Sequence, residues 1–162
     1  MSQTQPIATG QPAPSFDLAS STGKSIKLDD FKGKKTVVLY FYPKADTPGC
    51  TKEACGFRDA LADYDAANIA VLGISPDPET DVTKFGQKFN LNFPLLADAD
   101  GSVTKSYGVW GEKTFAGKTY LGALRTTFVI DKSGKVQHVF ENVKPDGHDK
   151  EVLSWVKANA AG

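Results

Sequence analysis

Cys50 and Cys55 are the chain's only cysteines, and Thr47 stands three positions before the first of them. The run Pro43-Lys44-Ala45-Asp46-Thr47-Pro48-Gly49-Cys50 follows a strand-like stretch and precedes a helical one, which sets Cys50 in the first turn of a helix. There the partial positive charge and unpaired N–H groups of the helix N-terminus favour thiolate over thiol and draw a cysteine pKa below its free value of about 8.5. If both cysteines occupy one regular helix, their Cα atoms lie about 8–9 Å apart. A disulfide tolerates at most about 7 Å. A bond between them therefore requires the first turns to unwind, and Gly49 and Gly56 weaken a helix there by up to about 1 kcal/mol for an interior glycine. The pair suits a cycle in which Cys50, nearer the helix end, attacks an oxidant, becomes a sulfenic acid and is captured by Cys55 as a disulfide. Two thiols that never meet, or two small buried hydrophobes, are the alternatives.

Other residues qualify as partners of the thiol. Thr47 can cap the helix, and its hydroxyl can also accept from one reacting group and donate to another. Arg125 interrupts Leu124-Arg125-Thr126-Thr127-Phe128-Val129-Ile130, a run otherwise suited to burial. A guanidinium there needs an anion, either the Cys50 thiolate or a structural carboxylate. Glu53 could order Arg125, although an acid in a first helical turn is also what the dipole favours. Trp110 and Phe115 are candidate pocket walls or plain core. His138 and His148 read as structural or surface residues, and two thiolates without a nearby histidine make half a zinc site, so neither metal nor organic cofactor is expected.

The elements that must position these groups follow from pattern. Thr36 to Tyr42 is a continuous β-branched and aromatic run, a strand buried on both faces, which Pro43 stops. From Cys50, Ala54, Phe57, Leu61 and Tyr64 recur at helical steps, with Thr47 as cap and Pro48 at the first helical position. Ile69 to Ile74 predicts a second buried strand, and Asp77-Pro78-Glu79 opens a helix carrying Val82, Phe85 and Phe89. Phe93 to Leu96 is extended and Ser102 to Tyr107 a short helix. Leu124 to Ile130 and Val136 to Phe140 form a hairpin about Asp131-Lys132-Ser133-Gly134, before a closing helix with Val152, Leu153, Trp155 and Val156. Upstream, Phe16 to Ala19 and Ser25 to Leu28 predict an N-terminal β-hairpin. The order implies an α/β fold, a mixed central sheet flanked by helices in a thioredoxin-like layout, with ligands gathering at the carboxyl ends of the strands.

The chain of 162 residues carries 19 basic and 19 acidic residues, so nothing points electrostatically to nucleic acid or an anionic membrane. Its start lacks a basic segment followed by an apolar run, and no later stretch is long enough to span a bilayer, so a soluble cytoplasmic protein is expected. Residues 1–14 read as a mobile arm, and 15–162 as a single domain.

Pro43-x-x-x-Thr47-x-x-Cys50 resembles the active-site motif of the peroxiredoxins, thiol peroxidases on a thioredoxin-like fold. The continuation to Cys55 is similar to the Q-type subgroup, the bacterioferritin comigratory proteins, and the likeness extends through Gly108 to Lys113, Arg125 to Asp131 and His138 to Phe140. The resemblance implies that Cys50 is the peroxidatic thiol and Cys55 the resolving one, that Thr47 and Arg125 position and polarise the peroxide, and that Pro43 shields the pocket. It implies hydrogen peroxide and organic hydroperoxides as substrates, thioredoxin as reductant, a role in antioxidant defence, and a monomer. A disulfide oxidoreductase fits less well, since such enzymes keep their cysteines two residues apart. A redox-switched binding module is the non-enzymatic rival.

Overall fold

The computed structural model describes residues 5–115 and 117–159, without the side chains of Thr114, Phe115 and Tyr120. Its centre is a five-stranded sheet in the order β5-β4-β3-β8-β9, built from β3 (Thr36–Phe41), β4 (Ile69–Ser75), β5 (Leu95–Ala97), β8 (Thr126–Ile130) and β9 (Val136–Phe140). β3, β4 and β5 run parallel, whereas β8 is antiparallel to β3 and β9 to β8. This is the mixed sheet that the strand and helix order implies.

Strand β3 shows why one run can serve two cores. Val38, Tyr40 and Tyr42 point to one face and Val37, Leu39 and Phe41 to the other, all of them buried. The first face is covered by Phe57 and Tyr64 of α1 (Pro48–Ala66), Val82 and Phe85 of α2 (Glu79–Lys88), and Val152 and Val156 of α4 (His148–Asn159). The second is covered by Val103 of α3 (Ser102–Ser106), Tyr107, Val109 and the N-terminal residues Phe16 and Leu28. The N-terminal hairpin pairs β1 (Asp17–Ala19) with β2 (Ser25–Lys27). A second hairpin of β6 (Trp110–Phe115) and β7 (Lys118–Ala123) stands outside the main sheet. No helix among the described residues is long and apolar enough to cross a membrane.

Gly73 marks the tightest point of the sheet. A Cβ there would lie 2.9 Å from the Tyr40 ring and 2.9 Å from Leu95 Cδ2. Both neighbours are fully buried and cannot step aside. Gly73→Ala is therefore expected to destabilise the protein by about 1–3 kcal/mol, read as a lower urea midpoint at unchanged slope.

One expectation needs amendment, and a second gains detail. The strand expected from Leu124 begins two residues later, at Thr126, so Arg125 occupies the link between β7 and β8 rather than the strand. Within the arm expected to be mobile, Ile7 N–H donates to Tyr107 O, Gly10 N–H to Val136 O, Ala13 N–H to Gly134 O, and Val136 N–H returns to Gln11 O. A Pro- and Gly-rich composition removes periodicity, but its backbone groups still find carbonyls beside β9. Gly108 allows the approach: with φ of +75° and no Cβ it fits against the Gln5 carbonyl. Residues 1–4 of the expected arm lie outside the described residues.

Candidate active site

Where β3 ends, the chain turns away from the sheet at Pro43 and enters α1 at Pro48. Thr47 has the extended backbone of an N-cap, but its hydroxyl does not cap the helix; it donates to Lys44 O at 3.0 Å. The helix closes instead through Thr51 N–H to Thr47 O at 2.8 Å. Helical geometry leaves the Gly49 and Cys50 N–H groups without intrahelical acceptors, directed at the loop ahead of them. Cys50 is fully buried and Cys55 partly so; both are free thiols in a continuous helix. Both lie in one helix, the condition on which the expected separation rests.

Arg125 reaches this point from the start of β8, the strand that neighbours β3. Its Nη2 donates to Cys50 Sγ at 3.2 Å, and its Nη1 donates to Glu53 Oε1 at 2.6 Å. One guanidinium thus joins two groups a helical turn apart on the inner face of α1, the alternatives left open for its anion both being met. The Arg125 carbonyl accepts from Val143 N–H at 3.1 Å, which ties the backbone under the side chain to the loop before α4. Gly49 completes the fit: a Cβ there would come within 3.3 Å of Arg125 Nη2.

The electrostatics are dominated by burial. Glu53 is 1% exposed and its Oε2 has no hydrogen-bond partner, so desolvation pushes its pKa up to about 7, against the downward pull of Arg125. Arg125 is held above its ordinary range: burial opposes its charge, but Cys50 and Glu53 outweigh it. Burial drives the Tyr40 and Tyr42 phenols far above their usual range, so neither ionises near the thiol.

Above these groups opens a cavity of about 700 Å³, lined by Pro43, Thr47, Trp110, Lys113, Leu121 and Arg125 among others. Leu121 is 62% exposed, the large apolar side chain that stands out on this surface. Trp110 is backed by Gly101 and by the Lys105 ammonium, 5.2 Å from its ring centroid. Of the two aromatic wall candidates, Trp110 lines the cavity, and the side chain of Phe115 lies outside the described residues. Lys113 Nζ donates to Ala123 O at 2.8 Å, and burial, with Arg125 nearby, holds its pKa below the ordinary range while Cys50 pulls the other way. Pattern reading gives Lys113 no role; its place follows from the β6–β7 pairing, where it faces Tyr120 across the hairpin.

Both histidines are structural. His148 is buried, with Nε2 and the Thr127 hydroxyl 2.8 Å apart and Nδ1 2.9 Å from Glu151 Oε1, and burial lowers its pKa. His138 stacks on Trp155 with ring centroids 4.5 Å apart. Gly56 also has a packing reason: a Cβ there would meet Asp149 Oδ1 at 2.7 Å, where α4 starts against α1.

Comparison with known proteins agrees with this geometry. Residues 9–139 match the model of the AhpC/TSA family. The chain is 47% identical over 155 residues to Peroxiredoxin Bcp of Escherichia coli strain K12, covering 96% of this chain and 99% of that one. It is 52% identical over 147 residues to the putative peroxiredoxin bcp of Coxiella burnetii, covering 91% and 97%. Among solved structures, Xanthomonas campestris peroxiredoxin Q superposes with a TM-score of 0.83 at 36% identity, over 90% of this chain and 91% of that one. Fold, thiol placement and kinship agree, and the chain belongs to the AhpC/TSA family as a peroxiredoxin of the Q or Bcp type, a thiol-dependent peroxidase.

Proposed function

We propose that Cys50 is the peroxidatic thiol and Cys55 its resolving partner in the reduction of hydrogen peroxide and organic hydroperoxides. The observation that carries this reading is the Arg125 Nη2 to Cys50 Sγ contact at 3.2 Å, which supplies a permanent cation to a sulfur that must be negative to attack. The Cys50 thiolate attacks the terminal peroxide oxygen, the O–O bond breaks, and the leaving oxygen takes a proton to become water or alcohol. Thr47, whose own proton is engaged by Lys44 O, offers lone pairs to the O–H end of the peroxide. Arg125 and the N–H groups of Gly49 and Cys50 face the oxygens as charge develops. Pro43 at the cavity wall limits water around the sulfur, and the apolar sides given by Trp110 and Leu121 suit an alkyl group.

The sulfenic acid at Cys50 then condenses with the Cys55 thiol, releasing water and forming the disulfide. Both residues sit in α1, so its first turns must open for this step. A dithiol protein of the thioredoxin type returns two electrons and two protons. Resolution within one helix needs no second subunit, which supports a monomer, and a cycle that starts from two free thiols suits the reducing cytoplasm.

The test is steady-state peroxide consumption with thioredoxin and its reductase. Cys50→Ser is expected to abolish turnover, and Cys55→Ser to abolish turnover driven by thioredoxin. Mass spectrometry should find the Cys50–Cys55 disulfide in the native chain alone after a peroxide pulse. Turnover that survives Cys50→Ser would overturn the assignment and leave a redox switch as the better reading.

A further inference from the structure

The loop that presents Thr47 is not held by its own hydrogen bonds alone. Its middle residue, Ala45, donates its backbone N–H to Asp77 Oδ2 at 2.8 Å, across 32 positions of sequence. Asp77 is itself buried, 6% exposed, and is oriented by the Ser75 hydroxyl, which donates to the same oxygen at 2.7 Å. Ser75 is the last residue of β4 and fully buried, so the carboxylate is referenced to the central sheet. The next loop residue, Asp46, has φ of +60°, a left-handed conformation unusual for a non-glycine residue. Such a conformation persists only where the surroundings fix it. Here it is fixed on one side by the Ala45 to Asp77 bond and on the other by Lys88 Nζ, 2.9 Å from Asp46 Oδ2. Thr47 follows directly, and Gly49 and Cys50 follow within one turn.

We propose that Asp77 is a positioning residue for peroxide reduction: by holding the Ala45 N–H against the end of β4, it fixes the loop that carries Thr47 into the first turn of α1, where Cys50 lies. It acts through the loop and touches no reacting atom. The proposal rests on Cys50 and Thr47 being the peroxide site. The two lone-pair contacts of a carboxylate oxygen to a hydroxyl and a backbone N–H can be kept by an amide carbonyl, so Asn should substitute and Ala should not.

The experiment compares native protein, Asp77→Ala, Asp77→Asn and Ser75→Ala in two single-turnover reactions. One is oxidation by hydrogen peroxide, which needs Thr47 in place. The other is alkylation of Cys50 by iodoacetamide in a Cys55→Ser background, which needs a reactive sulfur that the reagent reaches as α1 opens and makes no use of Thr47. Asp77→Ala is expected to slow peroxide oxidation by about 10- to 100-fold, in line with loss of orientation of a reacting pair, while alkylation stays within about threefold. Asp77→Asn should restore the peroxide rate to within about threefold of native. If Asp77→Ala does not fold, Ser75→Ala decides: the carboxylate keeps Ala45 but loses its own orienting bond, and the peroxide rate should fall about 3- to 10-fold. A folded Asp77→Ala or Ser75→Ala with the native peroxide rate overturns the proposal, as does a parallel fall in both reactions. A native protein that fails to react with peroxide at Cys50 would instead overturn the site on which the proposal rests.

Discussion

Arg125→Met is expected to slow peroxide reduction by about 100- to 1000-fold, the usual consequence of removing a donor aimed at developing charge in a site shielded from water. Stopped-flow tryptophan fluorescence, with Trp110 on the cavity wall, is the natural readout. The same substitution leaves Glu53, 1% exposed, without its partner. Breaking one side of a buried ion pair costs about 3–5 kcal/mol, a cost met in full only where Glu53 is ionised, above its pKa of about 7. Burial holds the native Glu53 pKa at about 7, above the 4.5 of an unfolded glutamate. Below 4.5 both states are protonated; from there to 7 the unfolded state sheds its proton first, so the folded state loses stability as pH rises, by roughly 3 kcal/mol in all. Above 7 the native curve levels. Without the downward pull of Arg125 the carboxyl of the variant holds its proton to higher pH, so its curve keeps falling where the native one has levelled. The gap in urea midpoint should therefore be constant from pH 5 to 7 and widen from 7 to 9, and Glu53→Gln in the same background should remove the widening. An unchanged peroxide rate, or a gap that narrows with alkalinity, would defeat the assignment.

Phe57→Ala has the second largest expected effect. Phe57 is fully buried, stacks on Tyr40 with centroids 4.7 Å apart, and meets Tyr64, Phe93 and His148 edge-on at 5.7, 6.4 and 5.8 Å. Truncating such a ring costs about 3–5 kcal/mol, a large share of the 5–15 kcal/mol typical of a domain. Its position adds a kinetic consequence. Phe57 lies two residues beyond Cys55 and is where α1 is fastened to sheet and α4, so it bounds the segment that the proposed Cys50–Cys55 disulfide requires to open. Loosening it is expected to speed disulfide formation after a peroxide pulse while leaving the first, oxidising step unchanged. A stability loss below about 1 kcal/mol, or a slower disulfide step, would show that the fastening lies elsewhere.

The parts of this molecule that were legible in the sequence are those governed by local pattern. Strand β3 announces itself because six apolar or β-branched residues in a row can be buried on both faces. The start of α1 is written in Pro48, and Arg125 is conspicuous as a charge inside an apolar run. Even the ambiguity over its anion was real, since Cys50 and Glu53 both receive it. What pattern could not supply was contact between distant segments. Asp77 reads as a helix start beside Pro78, and nothing local links it to Ala45. The β6–β7 hairpin escaped because glycines and lysines interrupt it: Gly111 faces Gly122 and Lys113 faces Tyr120, so neither strand alternates cleanly. Position allows Thr47 to cap the helix or to face the reacting groups, and its hydroxyl in fact donates to Lys44 O.

The docked N-terminal segment bears on the margin of the central sheet. β9 closes one side of the central sheet, and a strand in that place offers unpaired N–H and C=O groups to any passing chain. Gln11 to Ala13 lie against its beginning, with Pro12 bridged to Lys135 and the amide of Val136 already taken by Gln11. Proline suits this duty, since it can lie along an edge while offering no donor for a further strand. Residues 10–13 thus cover the start of that margin, and shortening the chain to residue 15 would leave the Lys135 and Val136 end of β9 without these partners.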